Sequence, residues 1–365
     1  MHRAFTGPDA ATVRAPTVPV RDARPASGRM AACSGGFRAW VAYSGLIDDN
    51  SRTRCSDFFA RSSTGLLMPR LPQPIPYQGS KRALAATILA YVPRGVDCFY
   101  EPFAGSAAVT LAAAHRQLAA RYVISDSLEP LAGVWRLIID EPWMLADRYE
   151  DLWFAQLGRE NDFFNHVRQQ FNADRDPAKL LYLLARCVKN AVRFNLNGEF
   201  NQSPDNRRKG VHPVRMRTNI LTASSLLQGR ASAREADYES ILDSAGPADF
   251  IYMDPPYQGT STGRDRRYQD VLDLDRFVWN LERLNDRGVR YAVSFDGRCG
   301  DRVYGPELPA RLGLTRLEIE AGRSTQATLN GRTDVTIESL YLSPSLGPIE
   351  AQPVILYAAQ TRLGV

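Results

Sequence analysis

From residue 81 onward the chain alternates short apolar runs with longer amphipathic ones. Leu84, Ile88, Leu89 and Val92 recur at helical spacing until Pro93 stops the run, which predicts an amphipathic helix. Cys98-Phe99-Tyr100 and Tyr122-Val123-Ile124-Ser125-Asp126 are short apolar segments on either side of a helix-like stretch, 107–120. A parallel βαβ unit gives that alternation, because its strands are buried on both faces and read as continuous apolar runs. Residues 249–253 and 289–294 read as two further buried strands, and 334–342 as a late one. The pattern predicts an α/β fold built on a doubly wound, Rossmann-like sheet.

Three regions depart from the rhythm. Past Trp135 come helical runs, 141–171 and 177–192, then a polar loop, 193–217, dense in Asn, Gly and Arg. We read 136–228 as a helical insertion between two parts of one domain, 68–135 and 229–347. Residues 1–67 are rich in Ala, Arg, Ser, Pro and Gly and show no period of 2 or 3.6, the composition of a flexible basic tail. Met68 follows directly, so the native start is an open alternative. Residues 348–365 are read as a C-terminal tail.

Charge adds less than the total suggests. The net charge is +5, but residues 1–67 hold nine Arg against five Asp, with no Lys or Glu, and so carry +4 of it. The local cluster Arg193, Arg207, Arg208, Lys209, Arg215 and Arg217, opposed only by Glu199 and Asp205, is the segment suited to phosphates. The five cysteines are scattered and form no C-x-x-C pair, which argues against a disulfide framework and a zinc ribbon. No apolar run reaches the roughly 18 residues a membrane span needs, and residues 1–17 lack the apolar core of a signal peptide. A soluble cytoplasmic protein is expected.

Asp254-Pro255-Pro256-Tyr257 follows the apolar strand Phe250-Ile251-Tyr252-Met253, at the strand end where open α/β sheets bind ligands. An aromatic amine such as adenine N6 is a poor nucleophile, because its lone pair is delocalised into the ring. The Asp254 carboxylate and the Pro255 carbonyl, accepting its two N–H bonds, would draw the nitrogen toward tetrahedral geometry. Two prolines stiffen the loop and remove competing donors, and Tyr257 offers a ring for an extruded base. The bland alternative is a turn after a strand.

Glu101-Pro102-Phe103-Ala104-Gly105-Ser106 lies between the first strand and a helix, where small residues let a cofactor approach the backbone. With one glycine it does not match the G-x-G-x-x-G of a pyrophosphate site. Asp126, ending the second strand, either meets a ribose hydroxyl pair or caps a helix. Tyr77-Gln78-Gly79-Ser80-Lys81 supplies a ring for a flat or sulfonium-bearing ligand and a lysine for a carboxylate. Alone, that segment is a helix cap with a surface lysine.

In this order the motifs resemble the Dam-like family of DNA N6-adenine methyltransferases, over about residues 75 to 343. Arg193-Phe194-Asn195-x-x-Gly198-x-Phe200-Asn201 resembles the family's loop after its helical recognition region, and Ser294-Phe295-Asp296 resembles a later strand motif. The resemblance implies a methyltransferase sheet with a helical target-recognition insertion. It implies S-adenosylmethionine held by Tyr77, Lys81, Phe103, Ala104, Gly105, Asp126 and Asp254, and a flipped adenine held by Asp254, Pro255, Pro256 and Tyr257. Double-stranded DNA would meet Arg193, Asn195, Asn197, Asn201, Arg207, Arg208 and Lys209. Transfer would be direct and need no metal. A monomer of bacterial or phage origin, working beside a restriction endonuclease, fits that picture. Position 77 is Tyr where the family often has Trp, and Ala107 stands where a second glycine is frequent. Methylation of cytosine N4 is the nearest rival, though it usually carries Ser or Thr at position 254. Glutamine or RNA methylation and a catalytically silent DNA-binding relative are weaker ones.

Overall fold

The computed structural model describes residues 71–256, 272–299, 302–303, 305–323 and 335–348. Tyr257, the 1–67 tail and most of the 348–365 tail lie outside them. Helix α1 (Ala85–Ile88) is flanked by 3-10 turns at Lys81–Ala83 and Leu89–Tyr91, so the expected amphipathic helix is a short α segment between tighter turns. Next come β1 (Val96–Glu101), α2 (Ala108–His115) and β2 (Ala119–Asp126), the expected βαβ unit. Every residue of α2 from Ala108 to Ala114 is buried, and its alanines let the helix lie close against its neighbours.

Five helices separate β2 from the next strand: α3 (Glu129–Asp140), α4 (Pro142–Ala155), α5 (Glu160–Asp174), α6 (Pro177–Arg186) and α7 (Pro213–Leu227). The run expected as one helix over 141–171 breaks between α4 and α5, where Gly158 takes φ +81°. The polar loop is shorter than expected. Pro213 opens α7, with the His212 side chain accepting from the Val214 amide, so Arg215 and Arg217 are helical.

The chain then returns to the sheet through β3 (Ala231–Glu235), α8 (Tyr238–Ser244), β4 (Phe250–Met253), α9 (Leu274–Asp286), β5 (Arg290–Cys299), the two-residue β6 (Arg302–Val303), β7 (Thr315–Arg323) and β8 (Val335–Leu342). The strand order is β3-β2-β1-β4-β5-β8-β7, with β6 beside β5. The pairs β3/β2, β2/β1, β1/β4 and β4/β5 are parallel, whereas β5/β8 and β8/β7 are antiparallel. The fold is α/β and Rossmann-like.

Alternation along the central strands sends side chains to two cores. Phe99, Phe250 and Tyr252 join one, and Cys98, Tyr100, Ile251 and Met253 the other. Phe99 and Phe250 stack across the β1/β4 junction with centroids 5.6 Å apart. From β1 the chain steps outward through β2 to β3 and then crosses back to β4, so β1 and β4 flank the point where the winding reverses. Ligands of such sheets bind there, beyond the carboxyl ends of the strands. No described helix is long and apolar enough to cross a membrane.

Candidate active site

Strand β4 is wholly buried and delivers Asp254 to the sheet edge, where its side chain keeps one fifth of its surface exposed. Lys81 reaches it from the 3-10 turn before α1. Its Nζ lies 2.8 Å from Asp254 Oδ2 and 3.6 Å from Glu338 Oε2, with only 7% of the side chain exposed. Burial opposes the ammonium's charge, yet the facing Asp254 and Glu338 carboxylates hold its pKa above the ordinary lysine range. Glu338, on β8, is shifted upward by burial against the pull of Lys81. Pro255 is buried and Pro256 half-buried, so the two prolines fix the backbone that follows the carboxylate.

The loop after β1 is fastened at almost every residue. The Ala104 amide donates to the Ser125 carbonyl at 2.9 Å, and the Gly105 amide to Asp126 Oδ2 at 3.0 Å. The Trp135 indole N–H donates to the Gly105 carbonyl at 3.0 Å. Gly105 has φ +48°, and a Cβ placed on it would sit 3.1 Å from the Tyr77 ring, so a side chain there would be strained and would press on that ring. Ser106 and Ser80 share a hydroxyl hydrogen bond of 2.8 Å that ties this loop to the Tyr77–Lys81 segment. Phe103 stacks on Tyr238, with centroids 5.2 Å apart, and meets Phe277 edge-on.

Asp126 does more than its position suggested. One oxygen accepts the Gly105 amide and the other the Leu128 amide at 3.0 Å, so the carboxylate both holds the loop and starts the turn into α3. Glu101, at the end of β1, accepts from the Thr110 amide at 2.8 Å and from the Thr110 hydroxyl. Burial pushes its carboxyl up to about 8, the Thr110 bonds oppose that, and Asp254 adds to it. Ser294 meets the Tyr252 hydroxyl at 2.8 Å, and Asp296 accepts from the Tyr341 hydroxyl at 2.9 Å. The motif residues Tyr77, Lys81, Phe103 to Gly105, Asp126 and Asp254 thus belong to one connected set at the sheet edge.

The residues expected to meet DNA lie elsewhere, on a hairpin and the loop after it. Phe194 and Phe200 form an antiparallel bridge, and Asn201 N–H donates to the Arg193 carbonyl at 3.0 Å. Asn195 is consumed inside the hairpin. Its Oδ1 accepts the Asn197 and Glu199 amides at 2.9 Å each, and its Nδ2 donates to Glu199 Oε2 at 2.8 Å. Asn197 and Asn201 are exposed, and Leu196 at the tip is 86% exposed. Asn172 of α5 pairs with both backbone groups of Phe200, and Arg175, just past the helix, donates to the Gly198 carbonyl, so the hairpin stands on the end of that helix.

The basic cluster is partly neutralised. Arg208 pairs with Asp205, Lys209 with Glu160, and Arg217 with Asp147 and Glu150 on α4, which removes Arg217 from the group expected to face phosphate. Arg207 is exposed and forms no ion pair among the described residues. Arg207, Arg208, Lys209, Asp205, Glu160 and Arg186 line a cleft of about 570 Å³. Arg186, buried, donates to Gln156 Oε1 at 2.7 Å and to the Asp205 and Arg208 carbonyls. Neither Arg186 nor Glu338 was singled out by sequence. A charged residue inside the apolar Val335–Leu342 run was the one available sign for Glu338.

The chain matches the model of the D12 class N6 adenine-specific DNA methyltransferases over residues 77–276. It is 27% identical over 235 residues to the modification methylase StsI of Streptococcus sanguinis, a stretch covering 61% of this chain and 35% of that protein. The retron Ec67 DNA adenine methylase of Escherichia coli is 28% identical over 193 residues, covering 51% of this chain and 64% of its own. The type II methyltransferase M.MjaIII of Methanocaldococcus jannaschii is 25% identical over 239 residues, covering 60% and 82%. The chain spans about a third of the StsI methylase and under two thirds of the retron enzyme. More than half of its length falls within the family match, and this chain belongs to the D12 class N6 adenine-specific DNA methyltransferase family.

Proposed function

We propose that the chain transfers a methyl group from S-adenosylmethionine to N6 of an adenine flipped out of double-stranded DNA. The observation that carries this is Asp254, anchored by Lys81 at the carboxyl tip of β4 and followed by two prolines. Asp254 accepts one N–H of the adenine amine and the Pro255 carbonyl accepts the other, which draws the nitrogen toward tetrahedral geometry and its lone pair out of conjugation with the ring. Tyr257 supplies the stacking face for the extruded base.

The residues present fit the methyl donor. The loop is clamped to β2, and Ser125, whose carbonyl holds it, has a buried hydroxyl without a hydrogen-bond partner among the described residues. Phe103 and Tyr77 offer flat faces beside that loop, Lys81 and Asp126 the charged groups, and Ala104 and Gly105 the small ones. When bound, the donor supplies an electrophilic methyl on a sulfonium, whose positive charge suits the Asp254 carboxylate and an aromatic ring. We assign residues 136–228 to target recognition, with Asn197, Asn201, Arg193 and Arg207 as DNA contacts and Asn195 as the residue that shapes their hairpin. The names modification methylase and type II methyltransferase among the relatives support a companion restriction endonuclease.

The test is expression in a host free of adenine methylation, followed by sequencing of its DNA with a readout of methylated bases by position. N6-methyladenine at one short motif is expected, and none from Asp254→Ala. Absence of methylated base, or N4-methylcytosine in its place, overturns the reading.

A further inference from the structure

Lys81 has two carboxylates and one charge. The three groups arrive from distant parts of the chain and meet in a site that excludes most water, where Lys81 is 7%, Asp254 20% and Glu338 22% exposed. The ammonium sits close to Asp254, at 2.8 Å, and is held off Glu338 at 3.6 Å, a distance at which Glu338 Oε2 is buried and makes no hydrogen bond among the described residues. A buried carboxylate oxygen left without a donor costs free energy, and its use in another state of the site would explain why it is kept. Less than 1 Å of ammonium movement supplies that donor. We propose that Glu338 is a positioning residue for methyl transfer, the second carboxylate that takes the Lys81 ammonium when Asp254 turns to the substrate amine. This rests on the function proposed above.

The charges explain why a second carboxylate is useful. As the amine nitrogen bonds to the methyl carbon, the carbon–sulfur bond breaks with its electron pair on sulfur, and the nitrogen acquires the positive charge. One N–H proton then passes to Asp254, leaving a neutral methylated amine, a neutral carboxylic acid and a neutral thioether. An aspartate in a 2.8 Å ion pair is a poor acceptor for that proton, because Lys81 stabilises its ionised form. With Glu338 sharing the ammonium, Asp254 can loosen from Lys81 without stranding a buried positive charge. Among the described residues, the other ionisable groups facing this set are Glu101 and Tyr252.

The experiment compares Glu338→Gln in the full chain with the same change made on Lys81→Met, in single-turnover methylation of a duplex carrying the target motif. In the otherwise native chain we expect the rate constant to fall about 10-fold, with DNA and S-adenosylmethionine affinities within about twofold. On Lys81→Met, Glu338→Gln should cost nothing further, because its partner is gone. An equal loss in both backgrounds, no loss in the first, or a loss confined to affinity overturns the proposal. If Glu338→Gln does not fold, Glu338→Asp takes its place, with an expected loss of about threefold and the same dependence on Lys81. A second readout needs no activity. In the chain without S-adenosylmethionine or DNA, the Asp254 carboxylate, followed by carbon NMR, should titrate at lower pH in the Glu338 variant, and an unmoved midpoint overturns the sharing. A moved midpoint in a chain that methylates nothing would instead overturn the proposed function and leave the shared ammonium standing.

Discussion

The sheet edge and the hairpin region use polar groups in opposite ways. At the sheet edge, side chains far apart in sequence meet and leave some capacity unspent: Lys81 divides its charge between Asp254 and Glu338, and the Ser125 hydroxyl and Glu338 Oε2 are buried without hydrogen bonds among the described residues. In the hairpin, polar side chains fold back on their own or adjacent backbone, as Asn195 does on residues 197 and 199, and Asn172 and Arg175 do on the hairpin itself. The first region is arranged around something that arrives, and the second holds a shape. Variants should therefore lose chemistry in one and stability or DNA affinity in the other.

The sharpest break of that contrast is Asp254→Ala. A single-turnover rate lower by about 10³-fold or more is expected, with duplex affinity within about threefold. A variant whose DNA binding collapses together with its rate would place Asp254 in the shape-holding class. Glu101 probes the same edge through pH. Its carboxyl stands at about 8 in the folded chain, against an ordinary 4.5. A group raised on folding contributes stability fully below its unfolded value and loses that contribution as pH rises through the folded one. Between about pH 5 and 8 the native chain should lose stability relative to Glu101→Gln by roughly 4 kcal/mol, measured as urea unfolding at several pH values. Parallel curves for the two proteins would mean that Glu101 ionises as freely in the folded chain as in the unfolded one.

Arg186 is the corresponding probe on the helical side. It holds the Asp205 and Arg208 carbonyls and Gln156 from a buried position without a carboxylate partner among the described residues. Arg186→Leu takes the donor from the Asp205 and Arg208 carbonyls, while Gln156 Oε1 keeps the Tyr182 hydroxyl, and should cost about 3 kcal/mol in unfolding, with the rate on saturating DNA within about threefold. A variant of native stability and poor rate would reverse the assignment.

What the sequence made legible follows from how each part is built. Strands β1, β2, β4 and β5 are apolar on both faces and stand out as runs, whereas β3, Ala-Ser-Ala-Arg-Glu at the sheet edge, looks like loop. In β7, Leu317 and Ile319 alternate with charged residues, the mark of a half-exposed antiparallel strand, which a search for buried parallel runs passes over. Helix α9 buries Phe277, Val278, Leu281 and Leu284 along one face, at the spacing of an amphipathic helix. At the site, Asp254-Pro255-Pro256 and the Phe103 to Gly105 loop could be read because their residues are contiguous. Glu338 could not be, since its meaning comes from a pairing with Lys81 that only the sheet order creates. The same limit applies to charge: a list of arginines does not show that Arg208, Lys209 and Arg217 already face acids.

That last point leads to the smallest expected effect and the finest test of the hairpin region. Arg207 and Arg208 are adjacent and both exposed, yet Arg208 is engaged with Asp205 while Arg207 makes no ion pair among the described residues. A cation that neutralises a phosphate releases counterions and adds about 0.9 to the slope of log affinity against log salt. Arg207→Ala should therefore flatten the slope by about 0.9, weakening binding to all duplexes alike. Arg208→Ala should flatten it by much less, because in the free protein its charge is already opposed and its removal exposes Asp205. Binding titrations at four or five salt concentrations separate the two. Equal slopes for both variants would mean that the Arg208–Asp205 pair opens on DNA, and that the ion pairs of this loop are a resting arrangement, much as the Lys81–Asp254 pair is at the sheet edge.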